Sequence, residues 1–200
     1  MSAEVLLNAM KDGQAALIKA GTIELKLTPK ASEYTPIYYL VGALQGWNDQ
    51  AKTCMFYPES QTVQTYTTQW TGDGNLKIWD ENNFGDWNNC IGAATDGDNA
   101  ASGKLVTSND GAIVCPEKGA FYTLKVDFET MSYTWTKLEN QTPKEFEKIG
   151  LIGGFNEWGG DENMTATAPH NWTAEVTFAA DTEVKFRANG AWDDNWGTDV

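Results

Sequence analysis

A tryptophan-rich segment occurs twice in this chain, and the spacing of its two copies constrains the fold more than any other feature. Residues Tyr39–Asn48 return as Gly150–Gly159, at an offset of 111 (150 − 39). Farther along, Leu76–Trp79 returns as Val184–Arg187, at an offset of 108 (184 − 76). Solenoid repeats are roughly 20–50 residues long, so a period of about a hundred indicates two copies of one domain.

The composition favours a folded binding protein and argues against some partners. The chain has 200 residues, of which 41% are hydrophobic, which is enough to build a core. Its net charge of −14 argues against nucleic acid and anionic membrane surfaces as partners, because both need a basic patch. No apolar run approaches the roughly 18 residues of a membrane span. The segment Met1–Glu4 does not begin a secretion signal, so we expect an intracellular protein or an export segment outside this chain.

Cysteine and histidine are too few and too scattered to predict a metal site or a cofactor. Cys54, Cys90 and Cys115 form no C-x-x-C pair, and we expect them to be buried free thiols. His170 is the single histidine of the sequence. No pair of side chains offers credible acid–base or nucleophilic roles, so we do not expect an enzyme.

The first 33 residues resemble the tail of an upstream domain. Residues 4–20 predict a short helix interrupted at Gly13, and Ile23–Leu27 alternates as a strand with one buried face. One helix and one strand cannot form a core of their own. A polar linker that ends at Pro36 follows them.

From Ile37 onward the pattern is that of β-strands separated by Gly, Asn and Asp. Thr62–Trp70 is rich in Thr, Val and Tyr, while Phe121–Phe128 and Met131–Leu138 predict a hairpin. Short strands separated by such turn residues predict antiparallel sandwiches. We therefore divide the chain into residues 1–33, a first module at 36–139 and a second at 146–200.

The second module is shorter than the first. It has no counterpart of Gly111–Leu138, a part of the first module that includes the predicted hairpin. A sandwich without its last strands would leave an edge and an apolar face open to solvent. We therefore expect the second module to be truncated at its C-terminal end.

The repeated strand places charged and aromatic side chains together. Side chains alternate across a strand, so its apolar residues face the core. We then expect Lys77 and Trp79 on the outer face of the first copy, and Lys185 and Arg187 on that of the second. This is an unusual set for a plain protein surface.

Exposed indoles beside amide and charged groups are suited to binding a sugar. A flat indole can stack on the apolar C–H face of a pyranose, and Lys, Arg and Asn can hydrogen-bond its hydroxyls. The candidate tryptophans in loop-like sequence are Trp47, Trp87, Trp158, Trp192 and Trp196. Asn189 supplies an amide near the last two. The tryptophans that we expect in the core are Trp70, Trp135 and Trp172.

The ordered set of motifs resembles a known family. Ile149–Asp161, Asn171–Thr173, Val184–Asn189 and Trp192–Gly197 are similar to the repeated module of the SusE/SusF family of starch-binding outer-membrane lipoproteins of Bacteroidetes. The resemblance covers roughly residues 36–200. More weakly, residues 1–33 are similar to the C-terminal end of that family's N-terminal immunoglobulin-like domain.

The resemblance implies an all-β fold and a site in each module. The fold would be tandem immunoglobulin-like, carbohydrate-binding-module β-sandwiches, with the short helix near the N-terminus. The implied site residues of the second module are Trp158, Lys185, Arg187, Asn189, Trp192 and Trp196. In the first module Trp79 replaces the arginine, and Phe84 is expected where Trp192 would be. The candidates there are Trp47, Lys77, Trp79 and Trp87.

The predicted function is non-catalytic binding of polysaccharide, and the resemblance implies that this is above all starch or another α-glucan at the bacterial cell surface. The family implies partners in an outer-membrane glycan-uptake complex, and contact with the membrane only through a lipid anchor that this chain does not contain. One alternative is an accessory binding module of a glycoside hydrolase. Another is a structural or adhesive β-sandwich protein whose tryptophans are all buried.

Overall fold

The structure is a computed structural model that describes the backbone of residues 2–11, 14–24 and 34–197. Side chains are described for residues 34–197. The chain divides into two compact units, Met1–Tyr34 and Thr35–Val200. Within the described ranges, no helix has both the length and the hydropathy that a membrane crossing requires.

The described part of the first unit is an antiparallel hairpin, and the predicted short helix is wrong. Strand β1 spans Ser2–Lys11 and β2 spans Gln14–Glu24, with Lys11 opposite Gln14. Only the dipeptide Asp12-Gly13 separates these strands in sequence, and Asp-Gly is a strong hairpin signal. A short isolated helix is marginal in water, so strand pairing prevails. The predicted strand Ile23–Leu27 begins within β2, and its last three residues lie outside the described residues.

The second unit consists of short strands, as the sequence predicts. Those of the first repeat are β3 (Tyr38–Gly42), β4 (Cys54–Met55), β5 (Tyr57–Pro58), β6 (Val63–Gln69), β7 (Asn75–Asp80), β8 (Ile91–Ala93), β9 (Ser102–Thr107), β10 (Ile113–Val114), β11 (Phe121–Asp127) and β12 (Ser132–Lys137). Those of the second are β13 (Ile149–Gly153), β14 (Glu162–Asn163), β15 (Thr165–Ala168), β16 (Asn171–Thr173), β17 (Val184–Ala188) and β18 (Asn195–Trp196). Three short 3₁₀ turns complete it: Ala43–Gln45, Trp87–Asn89 and Gly154–Asn156.

The first repeat is an antiparallel arrangement in the order β4-β3-β7-β8-β9-β12-β11-β6-β5, with β10 paired to β7. Strand β9 belongs to both halves of this arrangement. Its Leu105–Thr107 part pairs with β8, and its Ser102–Lys104 part pairs with β12. Buried residues of both halves form one core cluster, so the halves lie face to face as in a sandwich.

The main core lies between these two halves. Alternation in β11 points Tyr122, Leu124 and Val126 inward. The tryptophans Trp70 and Trp135 are both buried and pack edge to face, with ring centroids 4.6 Å apart. The expectation that these two belong to the core is confirmed. Trp172 is half-buried instead.

The second repeat reproduces the central strand pair of the first. Strands β13 and β17 pair with Leu151 opposite Phe186, as β3 and β7 pair with Leu40 opposite Ile78. Strands β14 and β18 flank β13 and β17, while β15 and β16 form a separate hairpin. One face of this sheet borders an open cavity of about 1220 Å³, where Phe186 is exposed.

The three cysteines are free and buried, as the sequence predicts. Burial raises the pKa of Cys54 and Cys90, and it raises the pKa of Cys115 to about 11. The thiolate is the nucleophile, so a raised pKa suppresses alkylation on top of the steric barrier.

We expect iodoacetamide at pH 8 to leave Cys54, Cys90 and Cys115 unmodified in the native protein. About one Cys115 side chain in a thousand would be ionised at that pH, given its raised pKa. Intact-mass spectrometry should show three added groups only after unfolding in guanidinium. Rapid labelling of the native protein would contradict this burial.

Replacement of Trp70 by alanine should lower the free energy of unfolding by about 3–5 kcal/mol. The substitution empties a buried indole site and removes the hydrogen bond that its Nε1 donates to the Tyr122 carbonyl at 3.0 Å. Urea unfolding followed by circular dichroism measures the change. The matched control is Tyr57→Ala, since Tyr57 is 71% exposed and its loss should cost about 0.5 kcal/mol or less.

Candidate functional site

Each repeat carries the same turn after its first central strand. In the first repeat, Gly42 is followed by the 3₁₀ turn Ala43–Gln45, and then Gly46 and Trp47 adopt left-handed φ angles of 68° and 59°. The Trp47 N–H closes the turn by donating to the Gly42 carbonyl at 2.9 Å. Non-glycine residues with positive φ are uncommon, so the turn holds Trp47 in a specific and costly conformation.

The second repeat builds this turn from different residues. Gly153 precedes the 3₁₀ turn Gly154–Asn156, and Glu157 and Trp158 have φ angles of 56° and 58°. The Trp158 N–H again donates to the carbonyl of the preceding glycine at 2.9 Å. The same backbone conformation therefore presents a tryptophan in both repeats, although the residues between the glycine and the tryptophan differ.

Each of these tryptophans lies beside a second one. The centroids of Trp47 and Trp87 are 6.4 Å apart with ring planes 36° apart, and those of Trp158 and Trp192 are 6.4 Å apart with planes 38° apart. Trp47, Trp158 and Trp192 are 39%, 41% and 48% exposed, and Trp87 is half-buried. We call Trp47 with Trp87 platform one, and Trp158 with Trp192 platform two.

Platform one rests on other aromatic rings. Trp79 packs edge to face beneath Trp87, with centroids 4.6 Å apart, and its Nε1 donates to the Asp86 carbonyl at 2.9 Å. The Trp87 Nε1 donates to Asp49 Oδ2 at 3.0 Å. Hydrogen bonds from the Gln50 side chain and from Trp87 lower the pKa of Asp49. A carboxylate that stays ionised therefore anchors the second ring of platform one.

Platform two rests on an ion pair. The Arg187 guanidinium lies 4.6 Å from the Trp192 ring centroid, within cation–π range, and its Nε donates to Asp161 Oδ1 at 2.6 Å. The two charged side chains are only 13% and 7% exposed. A Cβ on Gly150, which is opposite Arg187 in the sheet, would lie 2.6 Å from the Asp161 Cβ. Glycine at this position therefore lets the carboxylate reach the arginine.

Polar side chains flank platform two. Lys185, on the same sheet face as Arg187, has its Nζ 3.4 Å from Asn195 Oδ1. The Asn195 amide donates to the Trp192 carbonyl at 2.8 Å and so fixes the loop. Asn189 instead supports the sheet end, since its Oδ1 accepts from the Lys148 N–H at 3.2 Å. The structure thus brings Arg187 to the tryptophan pair, places Lys185 beside Asn195 on the same sheet face, and uses Asn189 in a neighbouring turn.

The expectation that Lys77 and Trp79 lie on an exposed face is wrong. They do share a face, but loops cover it, and Trp79 forms a small second core with Val41 and Cys90. Lys77 is buried, and its Nζ donates to the Gly111 carbonyl at 2.6 Å. Burial lowers the pKa of Lys77. Neither side chain presents a free surface to a ligand.

The expected match between Phe84 and Trp192 is also wrong. Trp87 holds the position relative to Trp47 that Trp192 holds relative to Trp158. Phe84 packs instead against Trp79, with centroids 5.1 Å apart. The reason is loop length, since Trp87 follows its central strand by three more residues than Trp192 does and is carried on a 3₁₀ turn.

Trp196 lies apart from platform two. It is opposite Phe186 in the sheet, so its ring shares the face that borders the cavity, across the sheet from Lys185 and Arg187. Its ring packs edge to face with Phe146, at a centroid distance of 5.5 Å. Trp196 is 44% exposed but is not part of the tryptophan pair.

Sequence reasoning missed Asp161 and Asp49 as supporting residues. The signal that could have identified Asp161 is the predicted position of Arg187, since a guanidinium packed beside tryptophan needs a carboxylate partner. Within residues 34–197, no group of three or more His, Cys, Asp or Glu side chains is placed to hold a metal ion.

Replacement of Asp161 by alanine should lower the free energy of unfolding by about 3 kcal/mol, because it leaves the mostly buried Arg187 charge unpaired. Urea unfolding measures this change. Asp193→Ala is the control, since Asp193 is an exposed acid in the same repeat and its loss should cost about 0.5 kcal/mol or less. Equal effects of the two substitutions would contradict the structural role of the pair.

Comparison with known proteins places the chain in a family. The family described as "SusF, first starch specific CBM" matches residues 33–137, just over half of the chain. Among solved structures, SusF from Bacteroides thetaiotaomicron is 19% identical, with a TM-score of 0.45; the match covers 100% of this chain and 48% of that one. The chain thus spans about half the length of SusF. No curated protein matches it. The resemblance seen in the repeats is confirmed by the family match: the chain belongs to the SusE/SusF-like family of carbohydrate-binding modules.

Proposed function

We propose that this chain binds starch-type α-glucan without catalysis, through platform one and platform two. The observation that carries the proposal is the matched geometry of the two tryptophan pairs, whose centroids are separated by 6.4 Å in both repeats. The family description, a starch-specific module, supports the same ligand class. Different residues support the two pairs, so what the two repeats share is the arrangement of the rings.

The tilt between the paired rings favours a curved ligand. Each indole offers a flat apolar surface on which the C–H face of one glucose unit can lie. Planes inclined by 36° and 38° suit two units whose faces turn relative to one another, as in the helical α-1,4-glucan. A flat ribbon of β-1,4-linked units would stack better on coplanar rings.

Polar groups beside each pair can hydrogen-bond the sugar hydroxyls. Platform two has Lys185 and Asn195 near its rings, and hydrogen bonds from a charged donor are the stronger ones. Platform one has the exposed amides of Asn48 and Asn88 and the carboxylate of Asp49. We therefore propose that platform two binds the glucan more tightly than platform one.

The family also supports a place for the protein at the cell surface. We propose that it acts on the outer face of the outer membrane beside glycan-uptake proteins, held by a lipid anchor. Surface proteolysis of intact cells and co-purification with the uptake complex test this location separately from glycan binding.

Trp192→Ala should weaken binding to starch at least about tenfold, because it removes one of the two stacking surfaces of platform two. Trp47→Ala should have a smaller effect, and the double variant should lose retention on insoluble starch. Affinity electrophoresis in amylopectin and isothermal titration with maltoheptaose measure both. Circular dichroism verifies the fold.

Trp196→Ala is the matched control, because its indole is equally exposed but lies on the other face of the sheet. We expect its affinity to stay within about twofold of the parent protein. If this variant lost binding while Trp192→Ala kept its affinity for starch, the glucan would bind on the sheet face that borders the cavity. Failure of the parent protein to bind maltooligosaccharides, pullulan or starch would overturn the proposed function.

A further inference from the structure

The connection between the two repeats does not by itself set their orientation. Residues 138–148 contain no helix or strand, and most of their side chains are exposed. Both repeats nevertheless belong to the compact unit Thr35–Val200. Contacts outside the connection must therefore hold them together.

These contacts come from the β15–β16 hairpin of the second repeat, which lies against strand β6 of the first. The Thr68 hydroxyl donates to the Pro169 carbonyl at 2.7 Å, and the Asn171 side-chain amide donates to the Thr67 carbonyl at 3.1 Å. Strand β5 pairs only with the first part of β6, and the hairpin contacts the remainder. The hairpin thus forms hydrogen bonds with both a side-chain group and a backbone group of the first sandwich.

The same hairpin also reaches the core of the first sandwich. Ala168 packs against that core, and His170 packs against Phe121 with ring centroids 5.5 Å apart. The buried Cys54 thiol donates to the Thr167 carbonyl at 3.5 Å. Thr68 is buried as well. Separation of the repeats would exchange these hydrogen bonds for bonds to water and would expose the apolar contact at Ala168, so burial of that contact helps to hold the repeats together.

The hairpin also lies close to the turn of platform one. Strand β15 contacts the 3₁₀ turn Ala43–Gln45, which directly precedes Trp47 of platform one. Leu44 in this turn packs against the core of the first sandwich. The hairpin belongs to the repeat that carries platform two, so the second repeat lies beside the segment that precedes platform one.

We propose that the β15–β16 hairpin locks the two repeats into one body, so that platforms one and two form a preorganised bivalent site for a single long glucan chain. The inference rests on the proposed function for its ligand. A fixed spacing removes the cost of ordering a loose connection when the second platform binds. It also makes binding depend on chain length, because only a long glucan can reach both platforms.

The first test concerns the contact alone. Ala168→Arg places a large cation where a small side chain packs against the core, and Thr165→Arg places the same residue at an exposed position of the same strand. We expect the parent protein and Thr165→Arg to show one calorimetric transition and one small-angle scattering envelope for the unit. Ala168→Arg should add a second transition and increase the radius of gyration.

A second, milder variant keeps the test valid if Ala168→Arg fails to fold. Thr68→Val combined with Asn171→Ala removes two hydrogen bonds across the contact and should produce the same changes in part. Two independent transitions in the parent protein would overturn the lock. Scattering that is unchanged in both the Ala168→Arg and the double variant would overturn it as well.

The second test concerns function, with maltotriose as a ligand for one platform and long amylose as a ligand for both. Ala168→Arg should bind maltotriose within twofold of the parent protein but bind amylose at least about tenfold more weakly. Equal weakening for both ligands, or for neither, would overturn the bivalent site. Failure of the parent protein to bind either glucan would overturn the proposed function, while calorimetry and scattering would still decide the lock.

Discussion

The candidate site depends on what lies beneath the second tryptophan of each pair. That ring is carried by a loop, and a loop alone cannot hold a large side chain at a set distance from its neighbour. In both repeats the central strand supplies the support at the same register position, as Trp79 under Trp87 and as Arg187 under Trp192. The distance from this support to the ring is 4.6 Å in each case.

The two repeats reach this geometry by different chemistry. In the first, the support is apolar and belongs to a small core with Val41 and Cys90. In the second, it is a cation that requires the Asp161 carboxylate, which in turn requires the absence of a side chain at Gly150. Tyr39 occupies the position equivalent to Gly150 and packs with Phe84, so both members of this residue pair differ between the repeats.

Much of this structure could be predicted from local pattern, and the failures have physical causes. Alternation identified the strands and the buried Trp70 and Trp135, since a strand with one core face leaves a clear period of two. The same period could not show that loops cover the other face of β7, which buries Lys77. It placed Lys185 and Arg187 on one face as well, and there both residues are half-buried. Pairing between the two N-terminal strands, which the periodicity of either segment alone does not show, overrode the helical pattern.

The turn that presents Trp47 and Trp158 is closed by main-chain atoms, the tryptophan N–H and a glycine carbonyl five residues earlier. Side chains within the turn reinforce it, since Gln45 bonds to the Asn48 backbone and Asn156 Oδ1 accepts from the Gly153 N–H at 3.1 Å. Substitutions outside these bonds can change which hydroxyls of a ligand are recognised while the indoles keep their placement. In a duplicated module of this kind, the ligand preference can change while the backbone of the site keeps its conformation.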